Sequence, residues 1–403
     1  MTVWNDPQFT QRLAHANWMA NVAVQIHHNE RATGDPAREW MGSWARRWFV
    51  RDNTRVLVLG CGEGWLERSI AHWPFIESIH AVDFAAEAVE RARAAAPPKI
   101  TYGVVDLNRD ELPPKSYDIV VAHAVLHHVA NLEHAYAQIE RTLRDDGTLI
   151  LNEYVGPNRF QYSDRVLGFM NELLQCLPPE LRRGAVDPVI YEERRRPTVE
   201  EMIATDPTEA VRAEELIAFT ENTFEVIDRR NIGGTILQHL LYDLAQNFRF
   251  DVPHERAMVE LLCTIEAMLV DAKAIPCDFV LMAARKKGAP RIARYRGLVE
   301  RSEDAKSIDP DPLKLAGGGQ AILPVPDRRD RLSSTHLRML RIALASTQPR
   351  RANLFVESPL RGTLERFRAR NHDPYAWIQS RAPHAHPAIQ ALIRTAATLA
   401  PLA

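Results

Sequence analysis

Near residue 55 an apolar run empties into three glycines at alternate positions: Arg55-Val56-Leu57-Val58-Leu59-Gly60-Cys61-Gly62-Glu63-Gly64-Trp65-Leu66-Glu67. Few patterns restrict a chain more. The apolar run reads as a buried strand, and the residues after Gly64 read as the start of a helix. Joining the two through so short a turn needs a backbone that bends sharply, and glycine has no Cβ to oppose it. The same turn leaves N–H groups free at the helix N-terminus, where they can cradle a ligand. The spacing is G-x-G-x-G, whereas dinucleotide folds typically show G-x-G-x-x-G. Alone, the turn marks a nucleotide-type site without identifying its ligand.

The chain then repeats the alternation of strand and helix. Ser78–Asp83 reads as a second strand, and Ala85–Ala96 as an alanine-rich helix stopped by Pro97-Pro98. Ile100–Val105 and Tyr117–Ala122 are the next strands, followed by a helix over Leu132–Leu143. Asp145-Asp146-Gly147 reads as a turn into a fifth strand, Thr148–Asn152. Phe224–Asp228 and Asp278–Ala283 are candidates for a sixth and a seventh. Such alternation is the signature of a parallel sheet with helices on both faces.

Helical segments surround this unit. Residues 1–50 carry scattered aromatics, among them Trp4, Trp18, Trp40 and Trp48, and suit a helical cap or lid. Within it, Asp35-Pro36 is a good helix start. Residues 156–220 look helical and irregular: Thr198-Val199-Glu200-Glu201 fits a capping box, and Asp206-Pro207 resembles another helix start. Further helix is expected within 230–275, mainly near 254–270. The division expected is a cap at 1–50, a main domain at 51–288 with insertions at 156–220 and 230–275, and an extension at 289–403.

Charge separates the extension from the rest. Residues 286–403 hold 21 Lys and Arg against 10 Asp and Glu, whereas residues 1–285 hold 29 against 42. The extension has few aromatics among its arginines, so a partner-docking or solvated role is expected over nucleic-acid binding. Cys61, Cys176, Cys263 and Cys277 lie far apart and imply neither a zinc site nor a disulfide framework. No apolar segment approaches the roughly 18 residues a membrane span needs, and the N-terminus has no signal-peptide pattern. A cytoplasmic location is expected.

In an open parallel sheet, ligands bind at the carboxyl ends of the strands. Four ends carry suitable groups here. Gly60, Gly62 and Gly64 follow the first strand. Asp83 ends the second, where an acceptor-only carboxylate can take both hydroxyls of a ribose. Asp106 ends the third, where it can accept an exocyclic amine or simply close a turn with Asn108. Ala122-His123-Ala124-Val125-Leu126-His127-His128-Val129 follows the fourth.

This order resembles the class I S-adenosylmethionine-dependent methyltransferases. The matching pieces are VLVLGCGEG at 56–64, AVDFA at 81–85, VVDL at 104–107, YDIVVAHAVLHHV at 117–129 and LRDDGTLIL at 143–151. The resemblance implies an α/β, Rossmann-like sheet of seven strands, antiparallel only at the last, with S-adenosyl-L-methionine as cofactor. It places Gly60, Cys61 and Gly62 beside the methionine moiety, Asp83 at the ribose, Asp106 and Leu107 at the adenine, and Ala122-His123 on the donor's other side, with Gly64 and Phe84 as further candidates for cofactor binding. One departure is Val58, where the family usually has an acidic residue.

Methyl transfer needs alignment, exclusion of water and, for a hydroxyl acceptor, a base. His127 is the first candidate, with His123, Glu153 and His239 as alternatives. Neighbouring histidines on a helix point about 100° apart, so His127 and His128 are not expected to chelate a metal. The segment EYVGPNRFQYSD at 153–164 suits a polar acceptor and looks like those of small-molecule or glycan methyltransferases found beside bacterial glycosyltransferases. The expected acceptor is therefore an oxygen of a sugar or secondary metabolite. Alternatives are an RNA or protein methyltransferase using the basic tail, or a non-catalytic donor-binding subunit.

Overall fold

A computed structural model describes residues 2–48, 51–271 and 273–289; the extension expected at 289–403 lies, but for Ala289, outside the described residues. Among these residues seven strands form one sheet in the order β3-β2-β1-β4-β5-β7-β6. They are β1 (Thr54–Leu59), β2 (Ile76–Asp83), β3 (Ile100–Val104), β4 (Tyr117–His123), β5 (Leu143–Tyr154), β6 (Phe224–Gly233) and β7 (Phe279–Lys286). Pairs among the first five are parallel, and β7 runs antiparallel to both neighbours. The seven-stranded sheet with one reversed strand is the architecture the sequence predicts.

The helices are α1 (Pro7–Ala16), α2 (Val22–Thr33), α3 (Trp40–Arg47), α4 (Trp65–Ile70), α5 (Ala86–Ala94), α6 (Leu132–Thr142), α7 (Asp164–Gln175), α8 (Val199–Thr205), α9 (Leu216–Thr223), α10 (Leu237–Leu241) and α11 (Pro253–Asp271). The capping box at Thr198 and Glu201 forms as expected. Two predicted helix starts do not. Asp35 accepts Ala37 N–H and Asp206 accepts Thr208 N–H, each closing a local turn. The next α-helices after these turns begin only at Trp40 and at Leu216. Asp145-Asp146-Gly147 is also not a turn between elements. It is extended backbone within β5, taken up where the register with β4 shifts between Tyr117 and Ile119.

Strands buried on both faces need apolar residues at every position, and β1 shows how they are divided. Val56 and Val58 join Ile79, Ile119 and Val121 in one core, while Leu57 and Leu59 join Val82, Val120 and Leu149 in the opposite one. A third core lies among α2, α7, α10 and α11, built on Met170, Leu240, Val259 and Leu262. Glu266 of α11 sits beside it at 1% exposure. Its carboxylate accepts N–H groups of Gly234, Ile236 and Leu237 at 2.6, 2.6 and 2.8 Å, fixing the exit from β6.

Asp278, just before β7, is buried close by. Burial first, and then the charge of Glu266, push its pKa from the ordinary 3.8 to about 7. The native state therefore binds more protons than the unfolded chain between those values. This contribution to stability is complete below about pH 4 and lost as the pH rises through 7. Asp278→Asn removes the ionisation, so its urea-unfolding stability should decline less than wild type between pH 5 and 8, by about 1 kcal/mol or more. Parallel stability curves would show that Asp278 ionises normally.

Candidate functional site

Gly60, Gly62 and Gly64 all adopt left-handed dihedrals, with φ of 66°, 51° and 86°. They do different work. A Cβ on Gly60 would overlap the Val125 side chain, and one on Gly64 would overlap the Tyr102 hydroxyl, whereas a Cβ on Gly62 would meet nothing within 4 Å. The outer glycines permit close packing; the middle one faces open space. Cys61 N–H is tied to Val82 O at 3.1 Å, so the turn is fastened to β2.

Asp83, the last residue of β2, completes the cradle. Its Oδ2 accepts Gly62 N–H at 2.9 Å and its Oδ1 accepts Ala85 N–H at 2.8 Å. Each oxygen keeps a further lone pair for a ligand. Burial raises its pKa, and the backbone N–H groups of Ala85 and Gly62 pull back against that rise. Around the cradle, Trp65, Phe84 and Val104 are 39%, 40% and 48% exposed. Apolar groups exposed at a strand-end cleft provide a surface for a flat ring.

Asp106 serves its own turn. Its Oδ1 accepts both Asn108 N–H and the Asn108 amide, at 3.0 and 2.9 Å, while Oδ2 faces Arg109 at 3.3 Å. Leu107 beside it is 8% exposed. His123, at the end of β4, is stacked on Trp40 with ring centroids 5.2 Å apart and meets the edge of Trp65 at 5.4 Å. Its Nδ1 is buried without a hydrogen-bond partner. Burial, partly offset by Glu153 and reinforced by His127, depresses its pKa to about 4, so it is neutral.

Past β4 the chain enters a 3-10 turn, Leu126–His128, that lies against β5. Glu153 of β5 accepts Val125 N–H and Leu126 N–H, each at 2.9 Å, through one oxygen, and its other oxygen lies 2.8 Å from His127 Nδ1. His127 Nε2 in turn lies 3.5 Å from Glu209 Oε1. Burial opposes a charged imidazole here, but the hydrogen bond and charge of Glu153, with Glu209 and Asp206 behind, raise the His127 pKa overall. Burial likewise raises that of Glu209.

The expectation that His127 and His128 diverge is not met: their ring centroids are 4.2 Å apart. Both sit on a single tight turn, and each ring is aimed by its own Nδ1 partner, Glu153 for His127 and Thr208 for His128. His239 is placed elsewhere. It lies on α10, its Nε2 2.9 Å from Arg195 O and its ring against Tyr162. Arg159, within the segment that suits a polar acceptor, spends its guanidinium on the carbonyls of Pro207 and Glu209. Glu209 and Thr208 were not legible as site residues, because only the fold brings 206–209 beside β4.

Residues 57–151 match the family described as "Methyltransferase domain". Among curated proteins, the chain is 29% identical over 158 residues to a malonyl-[acyl-carrier protein] O-methyltransferase of Paenibacillus, covering 34% of this chain and 56% of that one. It is 28% identical over 180 residues to the protein of that name from Halalkalibacterium halodurans, covering 41% and 65%. An uncharacterized methyltransferase of Mycobacterium bovis is 34% identical over 106 residues, covering 26% and 52%. The chain thus spans between about half and two thirds of the length of these relatives. A solved S-adenosylmethionine-dependent methyltransferase from Mesorhizobium loti aligns with a TM-score of 0.37 at 18% identity, over 61% of this chain and 97% of that one.

Over residues 57–151 the chain is similar to a methyltransferase domain, in agreement with the sequence's resemblance to the class I S-adenosylmethionine-dependent methyltransferases. The residues present fit that methyl donor: Asp83 has lone pairs to spare, Gly62 leaves room, and exposed apolar side chains flank the cleft. The different surroundings of the glycines give a direct test. Gly62→Ala should cost only about 1–2 kcal/mol, the strain of a left-handed alanine, and should weaken binding of S-adenosylhomocysteine. Gly60→Ala adds the clash with Val125 and should destabilise clearly more. Equal melting temperatures for the two variants would overturn this assignment.

Proposed function

We propose that the protein transfers a methyl group from S-adenosylmethionine to a hydroxyl oxygen of a small molecule. The carrying observation is that a donor cradle at β1 and β2 and an imidazole held between two carboxylates share one edge of the sheet. Val125 links them, packing over Gly60 while its N–H binds Glu153. As an acceptor oxygen attacks the sulfonium methyl in line, a C–O bond forms, the C–S bond breaks and the hydroxyl proton must leave. Glu153 holds His127 Nδ1 and leaves Nε2 to receive that proton, with Glu209 beside it. In this reading His127 is the base, Glu153 orients it, and His123 is a neutral wall of the donor site. His239 is not assigned a part in the proton transfer.

Three observations bear on the acceptor, and the two drawn from the structure favour a small neutral one. The Paenibacillus and Halalkalibacterium relatives are named for O-methylation of malonyl-[acyl-carrier protein], and an oxygen acceptor is what we carry over. A carboxylate entering here would meet Glu153, Glu209 and Asp206, whereas a neutral hydroxyl would not be repelled. The N-terminal segment also covers the cluster. Trp4 Nε1 donates to Asp206 Oδ2 at 3.0 Å, and its ring meets the edge of His128 at 5.2 Å. On the other side Asn5 O accepts from Arg91 of α5 at 3.1 Å. A site beneath this strap suits a compact substrate.

Calorimetric titration with S-adenosylhomocysteine tests the donor half: about micromolar binding is expected, and Asp83→Ala should abolish it. Incubation with S-adenosylmethionine and a panel of hydroxylated metabolites, read by mass, tests the acceptor half. Glu153→Gln should lower turnover by about 10²–10⁴-fold while leaving S-adenosylhomocysteine binding unchanged. No binding by wild type would overturn the reading, and full turnover by Glu153→Gln would remove the His127 assignment.

A further inference from the structure

Hydrogen-bond donors determine where the lone pairs of His127 and His128 point. Glu153 already accepts two backbone N–H groups, and its second oxygen is 2.8 Å from His127 Nδ1. A carboxylate only accepts, so Nδ1 carries the hydrogen and the neutral ring presents a lone pair at Nε2. The same logic fixes His128. Thr208 gives its single hydroxyl hydrogen to Asp206 Oδ1 at 2.7 Å, so toward His128 Nδ1, 3.0 Å away, it can only accept. His128 therefore also presents a lone pair at Nε2.

Both lone pairs meet the same carboxylate. His127 Nε2 is 3.5 Å from Glu209 Oε1, and His128 Nε2 is 3.9 Å from Glu209 Oε2. Ligand atoms from the three side chains all lie within 4.8 Å of one another. These separations are long for hydrogen bonds. They approach the roughly 3.3 Å between ligand atoms that bonds of about 2.0–2.1 Å impose around a tetrahedral ion. With both rings neutral and Glu209 ionised, three acceptors converge without a donor among them, in a site where burial makes an unbalanced carboxylate costly.

We propose that His127, His128 and Glu209 bind one divalent transition ion, with Glu153 and Thr208 as the partners that orient the two imidazoles. Two imidazoles and one carboxylate are a ligand set suited to Zn²⁺, Fe²⁺ or Co²⁺ over Mg²⁺ or Ca²⁺. Outer partners that fix the tautomer of each imidazole are what a metal centre of this kind needs. Three protein ligands leave a coordination position open, where an acceptor oxygen could bind and lose its proton more readily. The ion and a proton compete for His127 Nε2. With an ion bound, the acceptor hydroxyl would be acidified by the ion and its proton released to solvent instead of to His127, whereas donor binding at Asp83 does not depend on it.

The test is titration of the metal-stripped full chain with Co²⁺, followed by visible absorption and calorimetry. One equivalent is expected to bind with d–d bands of a nitrogen- and oxygen-ligated ion, and Zn²⁺ should displace it. Glu209→Gln and His128→Asn should each weaken Co²⁺ binding at least tenfold, while His239→Asn leaves it unchanged. S-adenosylhomocysteine affinity, measured on the same samples, should remain at the wild-type value and shows that the variants are folded. Absence of Co²⁺ binding to wild type overturns the proposal. So does binding that persists undiminished in both variants, which would place the ion elsewhere, for example at His384 and His386 of the extension. A chain that binds Co²⁺ but not S-adenosylhomocysteine would retain the metal site and lose the methyltransferase reading.

Discussion

The carboxylate of Glu153 is the contact on which the candidate site most depends. It is 2% exposed on β5, a strand with apolar neighbours on both faces, and would be expensive there without partners. Three donors meet it: Val125 N–H, Leu126 N–H and His127 Nδ1. Through them one side chain fixes the path of the chain as it leaves β4, presses Val125 over Gly60 and sets the tautomer of His127. The glycine turn and the His127–His128 cluster are held in register by the same carboxylate. A lost acceptor here would leave buried N–H groups unsatisfied, at a cost of about 1–3 kcal/mol each.

The electrostatics of the sheet edge follow from the same crowding. His123 is neutral because burial dominates, whereas His127, only four residues later, is pulled the other way by Glu153. Two imidazoles on one loop thus have opposite shifts, and the difference lies in which of them touches a carboxylate. His128 follows His123: burial and the neighbouring His127 hold its pKa well down. The roles proposed above, His123 as an inert wall and His127 as a proton-handling group, would draw on such divergence between neighbouring groups.

Much of this was legible in the sequence, and the limits have physical causes. The strands, the glycine turn and Asp83 could be read because each is a local pattern: an apolar run, a bend requiring glycine, a carboxylate at a strand end. Asp206-Pro207 misled for a local reason too. The same Asp that can cap a helix can close a turn with Thr208, and here tertiary contacts decide, because Arg159 holds the carbonyls of Pro207 and Glu209. Glu209 had no sequence signal at all. It lies 82 positions from His127, and no periodicity or spacing connects the two. The convergence of His127 and His128 was hidden for a related reason: backbone geometry splays neighbours, and only partners supplied by β5 and by Thr208 turn the rings together.

The N-terminal segment shows how the parts distant in sequence bear on the chemistry. Trp4 reaches Asp206 and His128, while Asn5 reaches Arg91 and the N–H of Glu87, both on α5 just beyond Asp83. One short stretch therefore touches both α5, just beyond Asp83, and the cluster of Asp206 and His128. Ordering it costs conformational entropy that a few hydrogen bonds and one indole must offset. A long polymeric acceptor would have to displace those contacts to reach His127. A compact acceptor can leave them in place, and water is then kept from a sulfonium carbon that hydroxide could also attack. In the function proposed above, the cover over the cluster and the small size of the acceptor are in this sense the same physical statement.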